Sequence, residues 1–214
     1  MKRTVLKRLF TQHTLPHLLA DGWQLKGHLL FATPVNELLK GVYLESSAYS
    51  PADFSVNVFV QPLYVPATSP VFSFGYRQKT GANREWWHFE ETDITQVGWE
   101  LAQAINTAER DFFPQVATAA DFHRRYRPQQ RTAASHYEAV VYSACYAGLE
   151  KKAEEVKGLL HFLQTSKEVN LEWEWVQQMY QKTQQLQLLL TQGEPVRPLL
   201  EHWRVETMRH LRLA

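Results

Sequence analysis

His88 sits where chemistry could occur, because it follows Trp86-Trp87 and precedes Phe89-Glu90-Glu91. An imidazole held between aromatic walls and carboxylates titrates near neutrality and can act as a general acid or base. Such a role also needs a positioned partner and a contact with the reacting atoms, which a local run does not supply. Packing at a sheet edge accounts for the same cluster. No catalytic residue is therefore assigned, and an enzyme with a scattered site around His88, Glu90 and Glu91 is the second reading. His13 and His17 lie four apart, the helical spacing that turns two imidazoles toward one ion. Pro16 interrupts the pair, and neither an H-E-x-x-H frame nor a third ligand is present. No metal and no other cofactor is expected.

Other chemistries find less support. No G-x-x-x-x-G-K-[ST] or G-x-G-x-x-G run occurs, so a phosphate cradle is not indicated, and G-x-S-x-G is absent. The single cysteine, Cys145, lies between Ala144 and Tyr146 in an apolar stretch and reads as a core residue. Arg124, Arg125, Arg127 and Arg131, with Tyr126, form the densest basic run and could hold phosphates or stack a base. A net charge of +1 gives no broad basic footprint, so a nucleic-acid accessory module is a third reading, with weak and salt-sensitive binding. A helix face neutralised by Asp121 and Glu138 is the simpler account.

Tryptophan usage is unusual: seven in 214 residues, with Trp86 and Trp87 adjacent and Trp173 and Trp175 two apart. Adjacent side chains on a strand face opposite ways, and so do residues two apart on a helix, so one member of each pair is hard to bury. Exposed tryptophan is a strong interface anchor. Trp86, Trp87, Trp173 and Trp175 are the candidate partner-binding residues, and a protein is the expected partner.

The elements that must position these residues follow from periodicity. Val5, Leu6, Leu9, Phe10, His13 and His17 mark one helical face over residues 2–19. Trp23, Leu25, Leu29 and Phe31 alternate as one strand, Val42 and Leu44 mark a second, residues 54–64 a third and Phe72 to Tyr76 a fourth. The run 85–89 is a short fifth strand or a loop. Asp93 begins a helix ending near Phe112-Phe113-Pro114, and a short amphipathic piece surrounds Phe122 and Tyr126. Ser135 and Glu138 read as a capping box, Asn170 as the cap of a later helix ending at Gly193, and Pro195 as the first turn of the last helix. The expected fold class is α+β: an N-terminal helix, an antiparallel meander of four or five strands, then an all-α region of helical hairpins. Domain limits fall at 1–115 for the sheet domain, 116–134 for a connector with a short helix and 135–214 for the helical domain.

The composition is 44% hydrophobic and 13% aromatic, enough for a packed core and incompatible with intrinsic disorder. No apolar run approaches the roughly 20 residues that span a bilayer. The basic start Lys2, Arg3, Lys7 and Arg8 leads into an amphipathic pattern, so a cytoplasmic protein without membrane contact is expected.

The segment Asn57-Val58-Phe59-Val60-Gln61-Pro62-Leu63-Tyr64, behind an N-terminal helix and the Gly22-Trp23 strand entry, resembles bacterial domains of unknown function found in toxin-immunity and genome-conflict loci. The resemblance covers roughly residues 1–110 and rests on pattern. It implies an α+β domain with a meandering antiparallel sheet, and it carries no functional residue. The expected function is a non-enzymatic interaction protein, an immunity factor or an accessory subunit of a bacterial defence or conflict complex.

Overall fold

The computed structural model describes residues 3–50, 52–127 and 133–213. The fold is α+β, with an N-terminal helix, a six-stranded antiparallel sheet and a helical C-terminal region. Two compact units share the chain: one holds residues 1–61 and 71–115, the other residues 62–70 and 116–214.

In the first unit, helix α1 (Arg3–Arg8) continues as a π-helical turn (Leu9–Thr14) and a 3-10 turn (Leu15–His17). The helix expected over residues 2–19 changes its winding here, ahead of Pro16, which has no N–H to donate. The Leu15 N–H bonds back to the Phe10 carbonyl, and the Thr14 hydroxyl donates to the Leu9 carbonyl at 3.1 Å. A five-residue hydrogen-bonded turn sets Leu9 and Thr14 on one side, and both are buried. Gly98, on α2 (Ile94–Asp111), meets this turn so closely that a Cβ would lie 2.4 Å from the Cβ of His13.

Residues 23–32 form a hairpin where one strand was expected. Strands β1 (Trp23–Lys26) and β2 (Leu29–Ala32) are joined by Gly27-His28, with Gly27 at φ +62°. That is the first position of a mirror-image turn, which requires a positive φ. The register Lys26↔Leu29, Leu25↔Leu30 and Gln24↔Phe31 sets Leu29 and Phe31 on the face of Gln24 and Lys26, so the apparent single apolar side does not exist. The sheet continues through β3 (Leu38–Ser46), β4 (Asp53–Pro62) and β5 (Gly75–Gln78), while β6 (Trp87–His88) also pairs with β4. Val56, Val58, Phe59 and Val60 are buried along β4, which carries the unit's core.

The second unit is built from α3 (Ala119–Tyr126), α4 (Ala134–Tyr146), α5 (Lys152–Thr165), α6 (Glu174–Gln192) and α7 (Arg197–His210). Helix α4 packs on α3, α5 and α7, and α5 packs on α6. The capping box belongs to α3, where Thr118 and Asp121 bond reciprocally. Helix α4 instead begins at Ala134 without a side-chain cap, and Glu138 faces inward because every residue from 137 to 146 is buried. Helix α7 begins at Arg197 with Pro198, and not Pro195, in its first turn. The segment 62–70 belongs to these helices. Tyr64 stacks on Tyr146 with centroids 4.3 Å apart, and its hydroxyl donates at 2.7 Å to Ser143, which itself donates to the Ala139 carbonyl. The Ala67 N–H bonds to the Thr207 hydroxyl at 3.3 Å.

Tyr64 is fully buried. Tyr64→Ala should destabilise the helical unit by about 3 to 5 kcal/mol, through the lost ring and the cavity left behind. Denaturant unfolding followed by far-ultraviolet circular dichroism checks this, and a loss under about 1 kcal/mol would remove residues 62–70 from the helical core.

Candidate interaction site

The most exposed aromatic feature of the helical unit is the entry to α6. Asn170 Oδ1 accepts from the Glu172 N–H at 2.8 Å, and the Asn170 carbonyl from the Trp173 N–H at 3.1 Å. Asn170 therefore organises a turn ahead of α6 instead of capping it, and the N-cap position falls on Trp173, with φ −70° and ψ 127°. Because Trp173 is extended and Trp175 is helical, the two indoles do not diverge as they would inside a helix. They stack, with centroids 5.9 Å apart and planes at 26°. Each is 49% exposed, and Leu171 beside them is exposed too. Val176 and Met179, one helical step further, are buried and hold α6 in its unit.

The sheet unit separates its tryptophans as strand geometry requires. Trp87 is buried, its indole N–H donates to the Gln78 carbonyl at 3.1 Å, and its ring tilts against Phe54. Trp86 is 42% exposed and lies under the Arg77 guanidinium, 5.4 Å from the ring centroid. Arg77 in turn pairs with Glu45 at 3.0 Å and with Glu85 at 3.8 Å.

The β4–β6 register sets Asp53 directly opposite His88. His88 Nδ1 lies 2.7 Å from Asp53 Oδ1, and Nε2 lies 3.2 Å from Glu90 Oε1. These bonds, Asp53 first, raise the imidazole above its ordinary value, and the Asp53 carboxyl is lowered by the same contact. Asp53 and Glu90 thus engage both ring nitrogens, and in its protonated form the imidazole donates to both carboxylates and clasps β6 to β4. Glu91 belongs to the 3-10 turn Glu91–Asp93. Asp53, 35 residues upstream, could be found only from the strand register.

Comparison with protein-family models, curated proteins and solved structures found no match.

Of the remaining candidates, Arg124 and Arg127 are paired with carboxylates and Cys145 is buried. Arg124 pairs with Asp121, Arg125 lies 5.9 Å from the Tyr126 ring centroid, and Arg127 pairs at 3.4 Å with Glu155, which also binds His123. Arg131 lies outside the described residues. Burial pushes the Cys145 thiol up to about 12, which leaves no thiolate nucleophile near neutrality. Among the described residues no group of three His, Cys, Asp or Glu side chains is placed to hold a metal ion, and no helix is long and apolar enough to cross a membrane. A cleft of about 440 Å³ between the N-terminal helical segment and β1 is walled by Phe10, Leu15, Trp23 and Leu25, with Lys7, Thr11 and Gln24 as its polar side chains.

Glu138 is the buried carboxyl group of α4. Its carboxyl is pushed up to about 7 by burial, against Lys182 and a hydrogen bond with Tyr142. Tyr142 continues the chain to Thr183 at 3.1 Å, and the Thr183 hydroxyl donates to the Met179 carbonyl at 2.7 Å.

Two pH dependences follow in opposite groups. The His88 clasp contributes fully below the ordinary value of 6.5 and is lost as pH rises through the raised one. A proton titration by NMR should place its midpoint above 6.5, and Asp53→Asn should return it toward 6.5; a midpoint at or below 6.5 in the parent protein refutes the clasp. Glu138 favours the fold fully below its ordinary value of 4.5, and that contribution is lost as pH rises through about 7. Glu138→Gln should therefore flatten the stability profile and exceed the parent at pH 8 by on the order of 1 to 3 kcal/mol. Parallel profiles for the two proteins would reject this.

Proposed function

We propose that the chain is a non-enzymatic interaction protein that engages a partner protein through Trp173 and Trp175. One observation carries the reading: two tryptophans stack on the surface, half exposed, at the start of a 19-residue helix whose other face is buried. Exposed aromatic pairs on a rigid element lose little conformational entropy on binding and dominate interface energetics. Trp86 is a secondary contact with its own guanidinium cover, and the burial of Trp87 leaves it a packing role in this reading. Catalysis around His88 is disfavoured by the occupation of both ring nitrogens. A nucleic-acid role for Arg124, Arg125 and Arg127 is disfavoured by the carboxylates that pair with Arg124 and Arg127. In keeping with the resemblance of residues 1–110, the role proposed is that of an immunity factor or an accessory subunit of a bacterial defence or conflict complex.

Affinity purification of the tagged full chain from its native host, with mass spectrometry, tests the reading. One partner should co-purify in stoichiometric amount and be lost with the double variant Trp173→Ala/Trp175→Ala, each anchor being worth roughly thirtyfold in affinity. That variant should keep the parent's circular dichroism spectrum, because Val176 and Met179, which hold α6 in its unit, are untouched. Retention of the same partner by the variant would overturn the assignment.

A further inference from the structure

We propose that the Trp173–Trp175 stack takes the guanidinium of an arginine-bearing segment of a partner protein, with Glu172 and Glu174 as its counter-charges. The proposal rests on the interaction reading above and names the chemistry of the partner.

The chain itself twice builds the arrangement in question. In the sheet unit, Arg77 lies over Trp86 at 5.4 Å while Glu45 and Glu85 hold its edges. In the helical unit, Arg197 lies over Tyr146 at 4.3 Å and pairs with Glu201 at 3.7 Å. Each is a guanidinium on an aromatic face with a carboxylate at its rim, which combines cation–π attraction with a charge-assisted hydrogen bond. The α6 entry supplies the aromatic and the acidic components of the same arrangement. Glu168, Glu172 and Glu174 are exposed there, against one lysine between residues 166 and 178, a local charge of −2. Among the described residues, no cation lies over either indole, and none of the three glutamates forms an ion pair. Their polar contacts are neutral: Glu174 Oε1 accepts from Gln178 at 3.1 Å, and Glu172 Oε2 from Asn170 at 3.5 Å. These bonds orient both carboxylates and leave their charge in place.

The charge also selects among occupants. A local excess of carboxylates repels phosphate, which removes nucleic acid, and a purely apolar partner would bury those carboxylates without compensation. Arginine fits better than lysine because its planar, weakly hydrated guanidinium stacks on indole and still presents N–H groups edge-on to carboxylates.

The test uses the full chain and three alternating peptides, glycine–arginine, glycine–lysine and glycine–glutamate, with binding read by calorimetry and by the shifts of the indole N–H resonances. The arginine peptide should bind with shifts confined to Trp173 and Trp175, weakening as salt rises from about 50 to about 300 mM. Trp173→Ala/Trp175→Ala should weaken it by about tenfold or more, and Glu172→Gln/Glu174→Gln by several-fold with an unchanged melting temperature. Equal binding by the parent and the tryptophan variant, or equal affinity for the lysine peptide, would overturn the proposal. If the arginine peptide fails to bind while Trp173→Ala/Trp175→Ala still loses its co-purified partner, the arginine assignment falls and the interaction reading stands.

Discussion

Strand β4 is the element on which the other contacts of the sheet unit depend. Its pairing with β5 over Val56 to Phe59 and with β6 over Asp53 and Phe54 fixes what each side chain meets. The same register that buries Trp87 against Phe54 sets His88 against Asp53, and the Trp87 indole N–H then ties β6 to the carbonyl of Gln78 on β5. A shift of one residue would turn Trp87 to solvent and separate His88 from its carboxylate. Pro62 ends the strand by withholding a backbone donor, and the chain goes from there into the helical unit at Tyr64.

Helix α4 has the corresponding place among the helices. It is buried around its circumference from 137 to 146, so each polar group on it must find a partner inside the protein. Ser143 is shared between Tyr64 and the Ala139 carbonyl, and Tyr142 links Glu138 to Thr183. The carboxyl of Glu138 meets the same requirement by holding its proton to about pH 7, since Lys182 and the Tyr142 hydroxyl do not make up for the hydration an ionised group would lose there. Among the described residues, the Trp23 indole nitrogen is the one buried side-chain polar atom without a hydrogen bond.

The surface reuses a small chemical vocabulary. Arginine recurs on aromatic rings with glutamate at its edge, as in Arg77 with Trp86 and Arg197 with Tyr146. The Trp173–Trp175 stack has exposed glutamates beside it in the chain and, among the described residues, no cation over its rings. The contacts of His88 with Asp53 and Glu90 engage both imidazole nitrogens at the β4–β6 pairing.

The hydrophobic periods of the sequence determined the α+β class and the change from strands to helices, and glycine chemistry determined the end of α6 at Gly193. These features depend on residues within a few turns of one another, where spacing alone decides which side chains share a face. Features that join distant residues were decided by the tertiary structure. The β1–β2 hairpin kept an apparent alternation across Gly27-His28, so periodicity could not reveal that the faces had exchanged. Ser135 and Glu138 had the spacing of a capping box, but the burial of α4 drew the carboxyl inward. Asp53 met His88 through strand register, and Tyr64 left the sheet for Tyr146 and Ser143. Trp173 and Trp175 were visible as exposed candidates, yet their stacking required the helix to begin between them, and that start is set by the Asn170 turn and the burial of Val176 and Met179. Local spacing fixes which way a side chain points within its element; what it meets depends on where the rest of the chain is packed.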